Sequence, residues 1–206
     1  MSAPAKTNSW LALGDSYTIG ESVKEEERYP VQTAMLLRIR GIPMTDPKII
    51  AVTGWTTANL ISAIRERSLE RNYSIVSLLI GVNNQYQGRS LDEYKKECRE
   101  LVEKSIEFAG GISAHVVLIS IPDYSVTPFA VGMETERISK EIDAFNQVNR
   151  SLAEECKTHY VYITGDSREA RKDISQLAED GLHYSGKQYK IWAEKLEPLI
   201  AEMLMP

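Results

Sequence analysis

Residue types that carry out nucleophilic catalysis occur in this 206-residue sequence where one fold can bring them together. Ser16 stands two residues after Gly14, at the end of an apolar run, and His183 follows Asp180 by three positions. A serine hydroxyl is a weak nucleophile until an imidazole takes its proton, and a carboxylate must orient that imidazole. The pattern therefore predicts a catalytic triad of Ser16, His183 and Asp180.

Acyl transfer also requires hydrogen-bond donors for the oxygen that becomes negatively charged. Ser16, Gly54 and Asn83 each follow the end of an apolar run. We expect the backbone N–H groups of Ser16 and Gly54 and the side-chain amide of Asn83 to form this oxyanion hole.

The elements that must position these residues are five strands alternating with helices. The apolar runs that predict strands span residues 10–13, 49–52, 75–80, 115–121 and 160–163. The clearest helical patterns, with apolar residues three and four apart, span residues 91–105, 138–156 and 189–200. Runs without strict alternation indicate a parallel sheet buried on both faces, so the sequence predicts a three-layer α/β/α sandwich.

This topology separates the three histidines. Ligands of such sheets bind outside the carboxyl ends of the strands. His115 and His159 begin their runs and belong to the opposite edge, whereas His183 follows the last strand. His183 alone is therefore expected to reach the functional edge.

Four sequence blocks resemble those of the SGNH hydrolases, the superfamily of GDSL esterases and lipases. They are LGDSY at 13–17, the glycine at 54, GVNN at 81–84 and DGLH at 180–183. The resemblance implies a flavodoxin-like sheet of order 2-1-3-4-5 and chemistry without a metal or organic cofactor. It also implies Ser16 as nucleophile, His183 as general base and then acid, Asp180 as its orienting carboxylate, and an oxyanion hole of Ser16, Gly54 and Asn83.

The sequence departs from the family pattern at two positions. Tyr17 replaces the leucine of GDSL, which affects the shape of the pocket at most. Asn84 replaces an aspartate that can brace the oxyanion loop, although an amide still accepts a hydrogen bond.

Two loops at the functional edge, residues 83–90 and 122–133, are long enough to shape a pocket. Tyr124 and Phe129 belong to an apolar loop that either forms a wall for an acyl chain or packs on the core without touching substrate. Tyr86 is a candidate contact for a polar head group or a sugar hydroxyl. The charged segment 21–28 is expected to be solvated and without a role.

The leading hypothesis is a serine esterase that forms an acyl-enzyme. Its substrate would be a lysophospholipid, another short- or medium-chain ester, a thioester or an acetylated sugar. The alternatives are a metal-dependent phosphohydrolase using Asp15, Asp123 and Asp166, and a non-catalytic flavodoxin-like binding module. Asp15 is better explained as a residue that ties down its own turn.

Composition limits the partners. A net charge of −5 argues against nucleic acid, and no apolar run is long enough to span a membrane. The sequence contains no Gly-x-Gly pair, which argues against a dinucleotide-binding site. We expect one domain over residues 1–206 and a cytoplasmic location for the chain as given, or a secreted or periplasmic one if a signal peptide has been removed. The oligomeric state is not encoded in any pattern.

Overall fold

A computed structural model describes residues 7–205 and contains one five-stranded parallel sheet. The strands are β1 Trp10–Gly14, β2 Lys48–Ala51, β3 Ile75–Leu79, β4 Val116–Ile119 and β5 His159–Val161. Their order across the sheet is β2-β1-β3-β4-β5, and helices cover both faces. The predicted α/β/α sandwich and its strand order are confirmed.

Burial explains why the central strands read as unbroken apolar runs. All residues of β1, β3 and β4 are buried, whereas the edge strands β2 and β5 are partly exposed. Leu13 of β1 is in register with Ile50 of β2 and Leu78 of β3, so the carboxyl ends of these strands meet at one edge.

Eight α-helices occur in the described part of the chain. They are α1 Ser16–Ile19, α2 Tyr29–Ile39, α3 Thr57–Arg65, α4 Val82–Tyr86, α5 Leu91–Phe108, α6 Thr135–Cys156, α7 Thr164–Arg168 and α8 Gly186–Leu204. Ser185 occupies the N-cap position of α8, but its hydroxyl donates to the Ser175 carbonyl instead of capping the helix. Among residues 7–205, no helix is long and apolar enough to cross a membrane.

The helices form two packed groups. Helix α2 packs against α8, and α5 packs against both α3 and α6. Aromatic rings fill the space behind β1, where Trp192 of α8 contacts Tyr29, Tyr184 and Tyr17 at ring-centroid distances of 6.2, 5.3 and 6.4 Å. This cluster supports the turn that follows β1.

Candidate active site

Ser16 is the first residue of α1, at a tight turn after β1. A Cβ atom at Gly14 would lie 2.1 Å from Thr18 Oγ1 and 2.4 Å from the Leu79 carbonyl, so only glycine fits there. The Asp15 carboxylate accepts a hydrogen bond from the Tyr17 N–H at 3.1 Å and caps the helix. The backbone N–H of Ser16, at the start of the helix, has no partner within the helix ladder.

His183 lies in a loop that both carboxylate oxygens of Asp180 contact. Asp180 Oδ1 accepts the backbone N–H groups of Leu182 and His183, each at 2.9 Å. Asp180 Oδ2 lies 2.6 Å from His183 Nδ1. This contact leaves Nε2 of the imidazole for a second partner, the arrangement that a histidine base requires.

Asp180 has a further partner that no sequence pattern indicated. Ser22 lies in the charged segment to which no role was assigned, and its hydroxyl donates to Asp180 Oδ2 at 2.7 Å. Its backbone has a φ of 65°, which is uncommon for a residue other than glycine. Burial by itself raises the pKa of Asp180, but the hydrogen bonds from Ser22, His183 and the backbone hold that pKa well below its usual range.

One cavity of about 120 Å³ joins most of the predicted site residues. It is lined by Ser16, Tyr17, Val82, Asn83, Tyr86, Tyr124, Phe129, Leu182 and His183. Grooves of about 700 Å³ also occur beside the loop after β4, but they contain no residue of the predicted triad or oxyanion hole. Ser16, Asn83 and His183 therefore meet in the smaller cavity.

Asn83 and Gly54 are linked through the loop after β2. The Asn83 amide donates one hydrogen bond to the Trp55 carbonyl at 2.9 Å, and its second N–H is available for another acceptor. Gly54 is exposed, has a φ of 84° and does not line the cavity. The structure thus places Asn83 at the cavity and ties it to the residue after Gly54.

Asn84 braces the same loop. Its Oδ1 accepts the Thr57 N–H at 3.0 Å, and its Nδ2 donates to Thr57 Oγ1 at 2.6 Å. The Thr57 hydroxyl in turn donates to the carboxylate of Glu97 on α5. Glu97 thereby supplies a carboxylate close to the position where the family pattern has one.

The three aspartates of the phosphohydrolase alternative have separate partners. Asp15 caps α1, Asp123 pairs with Arg168 at 2.8 Å, and Asp166 pairs with Lys195. Hydrogen bonds from Ser125, Ser139 and Arg168 lower the pKa of Asp123 although burial opposes them. Within residues 7–205, no three His, Cys, Asp or Glu side chains are grouped so that they could hold a metal ion.

The loop after β4 contributes both to the core and to the cavity. Tyr124 is 4% exposed and Phe129 is 38% exposed, and both line the cavity together with Tyr86. Phe129 is anchored because its N–H donates to the Gly181 carbonyl at 3.0 Å. A role for these three side chains in substrate binding stays a prediction. Tyr17, whose ring centroid lies 5.6 Å from that of His183, also lines the cavity and so contributes to its shape.

The fold is that of the SGNH class of hydrolases. The pattern of the GDSL-like lipase/acylhydrolase family matches residues 12–191. The chain belongs to this family and is an ester hydrolase of the SGNH type.

Three of the solved structures with the same fold illustrate how low the sequence identity is. An acetylxylan esterase, Axe2 from Geobacillus stearothermophilus, is 21% identical, with 94% of each chain covered and a TM-score of 0.72. TesA is 18% identical, with 96% of this chain and 100% of that chain covered and a TM-score of 0.74. The psychrotrophic esterase EstA from Pseudoalteromonas sp. is 17% identical, with 96% and 98% covered and a TM-score of 0.69. A search of curated proteins gives no match.

Proposed function

We propose that this ester hydrolase acts through a Ser16, His183 and Asp180 triad and an acyl-enzyme intermediate. His183 Nε2 takes the Ser16 hydroxyl proton as Oγ attacks the ester carbonyl carbon. The tetrahedral intermediate collapses when His183 returns that proton to the leaving alcohol oxygen. Water then attacks the acyl-enzyme, His183 accepts its proton, and the acid leaves as Ser16 regains its hydrogen.

The observation that carries this proposal is the Asp180 contact to His183 at the cavity that Ser16 lines. An ionised Asp180 on Nδ1 selects the tautomer with a free Nε2 lone pair and stabilises the imidazolium that forms. The low pKa of Asp180 keeps this carboxylate charged across the neutral range. Asp180 then acts as the orienting group and not as a proton acceptor.

Three donors are proposed for the oxyanion. They are the Ser16 N–H, the Gly54 N–H and the second Asn83 amide hydrogen. Support comes from the start of α1 at Ser16 and from the Asn83 bond to Trp55, which adjoins Gly54. Removing one such donor typically lowers kcat by about 10²–10³-fold, so Asn83→Ala should fall in that range.

The substrate is proposed to be a small carboxylic ester, with acetylated sugars and short acyl esters or thioesters as the leading classes. A cavity of about 120 Å³ favours these over substrates with a long chain at the reacting end. The structural similarity to an acetylxylan esterase makes acetylated saccharides a reasonable first panel.

Covalent labelling tests the triad directly. Purified protein is treated with an organophosphonate ester and the modified residue is located by mass spectrometry. We expect the label on Ser16, its loss in Ser16→Ala, and strongly slowed labelling in His183→Ala. Hydrolysis of p-nitrophenyl acetate that persists unchanged in Ser16→Ala would overturn the proposal.

A further inference from the structure

Two neighbouring cavities share a wall made of two tyrosines. Tyr86 and Tyr124 line both the 120 Å³ catalytic cavity and a groove of about 440 Å³ on its other side. The groove continues past Met133 and Ile138 towards the charged residues of α6. Phe129, in contrast, lines the catalytic cavity but not the groove.

The shared wall is made of rings in mutual contact. The ring centroid of Tyr86 lies 6.0 Å from that of Tyr124 and 6.1 Å from that of Phe129, and the last two are 6.4 Å apart. Tyr124 is 4% exposed and is held by the core, whereas Tyr86 is 54% exposed. Tyr86 is therefore the part of the wall that can be removed without opening the core.

We assign the wall to the acyl side of the proposed reaction. The leaving alcohol must depart before water can take its place, so the alcohol side has to open to solvent, whereas the acyl side can be closed. Tyr86 is on α4, the helix that carries Asn83, and so stands on the side of the oxyanion donors. His183, which protonates the leaving alcohol, lies in the loop after β5.

The small volume of the catalytic cavity favours a short acyl group. At about 120 Å³ the catalytic cavity is about a quarter of the size of the neighbouring groove of about 440 Å³, so it suits a short acyl group better than a long chain.

We propose that Tyr86 is a specificity-determining residue that limits the acyl pocket to short chains and separates it from the outer groove. This inference rests on the proposed function of Ser16 and names the acyl class that the same site accepts. Without the Tyr86 ring, the catalytic cavity and the groove become continuous, and a longer chain can run past Met133 and Ile138.

The test compares kcat/KM for p-nitrophenyl acetate, butyrate and octanoate in the wild type and in Tyr86→Ala. Wild type should prefer acetate and butyrate to octanoate. In Tyr86→Ala the ratio of kcat/KM for octanoate to that for butyrate should rise by at least about tenfold, since the additional methylenes of octanoate become buried in the groove. Tyr86→Phe keeps the ring and should keep the wild-type ratio.

Matched controls separate the possible outcomes. Tyr162→Ala removes another exposed tyrosine, 38% exposed and outside both cavities, and should leave the ratio unchanged. Acetate esters of alcohols of increasing length test the other side of the bond and should respond equally in wild type and Tyr86→Ala. The inference would be overturned if the ratio of octanoate to butyrate kcat/KM did not change in Tyr86→Ala, or if the wild type hydrolysed octanoate as well as butyrate. A change confined to the alcohol series would also overturn it. Activity that survives in Ser16→Ala would instead overturn the proposed triad.

Discussion

At the scale of single residues, Asp180 is oriented by a hydroxyl as well as by the backbone. Ser22 and His183 both contact Asp180 Oδ2, so loss of the Ser22 hydroxyl leaves the imidazole to hold that oxygen alone. Ser22 does not line the catalytic cavity, and its effect must therefore pass through Asp180. It is a positioning residue and does not touch the substrate.

Ser22→Ala is expected to lower kcat by about 3- to 10-fold with little change in KM, because a net hydrogen bond contributes about 0.5–1.5 kcal/mol. Steady-state kinetics on p-nitrophenyl acetate measures both parameters. Ser22→Gly is the control, because it removes the same hydroxyl but adopts the positive φ without strain. Equal losses in both variants assign the effect to the hydroxyl; a loss in Ser22→Ala alone would assign it to the backbone.

At the scale of elements, one amide joins α4 to the start of α3, and Glu97 extends the connection to α5. Asn84 both accepts from and donates to Thr57, and the Thr57 hydroxyl is then free to donate to Glu97. A carboxylate at position 84 could not donate to Thr57 Oγ1. It would also face the Glu97 carboxylate across a single hydroxyl proton.

Asn84→Asp, which restores the family residue, is therefore expected to destabilise this protein by about 1–3 kcal/mol. For a chain of this size the melting temperature should fall by about 2–4 °C per kcal/mol, which calorimetry or thermal unfolding monitored by circular dichroism measures. Adding Glu97→Gln removes the second carboxylate and should recover most of the loss. If Asn84→Asp alone were as stable as the wild type, the side chains of Asn84, Thr57 and Glu97 would not be coupled.

At the scale of the whole molecule, a buried carboxylate lies beneath the catalytic turn, at the edge of the aromatic packing between β1 and α8. Asp15 is fully buried, and its Oδ2 makes no hydrogen bond within the described residues. Burial raises the pKa of Asp15 to about 7, although backbone N–H groups at the turn, that of Tyr17 among them, oppose the shift. Tyr17, Tyr29 and Tyr189 surround it and add no positive charge.

The direction in which pH changes the stability follows from the pKa of Asp15 in the unfolded and in the folded protein. The unfolded chain releases the Asp15 proton near pH 4, whereas the folded protein retains it until about pH 7. This residue therefore contributes stability that is fully present below about pH 4 and is lost as the pH rises to about 7. Carboxylates with lowered pKa values, such as Asp180, act in the opposite direction in wild type and variant alike.

Asp15→Asn keeps an acceptor for the Tyr17 N–H and cannot ionise. The melting temperature of Asp15→Asn minus that of the wild type is expected to increase steadily between pH 4 and pH 8. Thermal unfolding across that range measures this difference. Asp46→Asn, at a side chain that is 91% exposed, controls for the loss of one charge. Curves for wild type and Asp15→Asn that stay parallel over this range would contradict the raised pKa.

Local patterns in the sequence determined the strands, the functional edge of the sheet and the family. Apolar runs report burial on both faces, and the blocks around Ser16, Gly54, Asn83 and His183 follow strand ends that a parallel sheet must bring to one side. The Asp180 turn is also local, because its acceptor and donors lie within three residues. The predicted fold class is confirmed on these grounds.

Only the tertiary structure decided which distant side chains support the site. Ser22 reaches Asp180 across 158 positions, and Glu97 reaches Thr57 across 40. The ring of Tyr86 packs with those of Tyr124 and Phe129 and lines two cavities, contacts that no sequence pattern indicates. Periodicity shows which face of an element is buried, whereas the partner of a polar or aromatic side chain depends on how separate loops fold over the sheet.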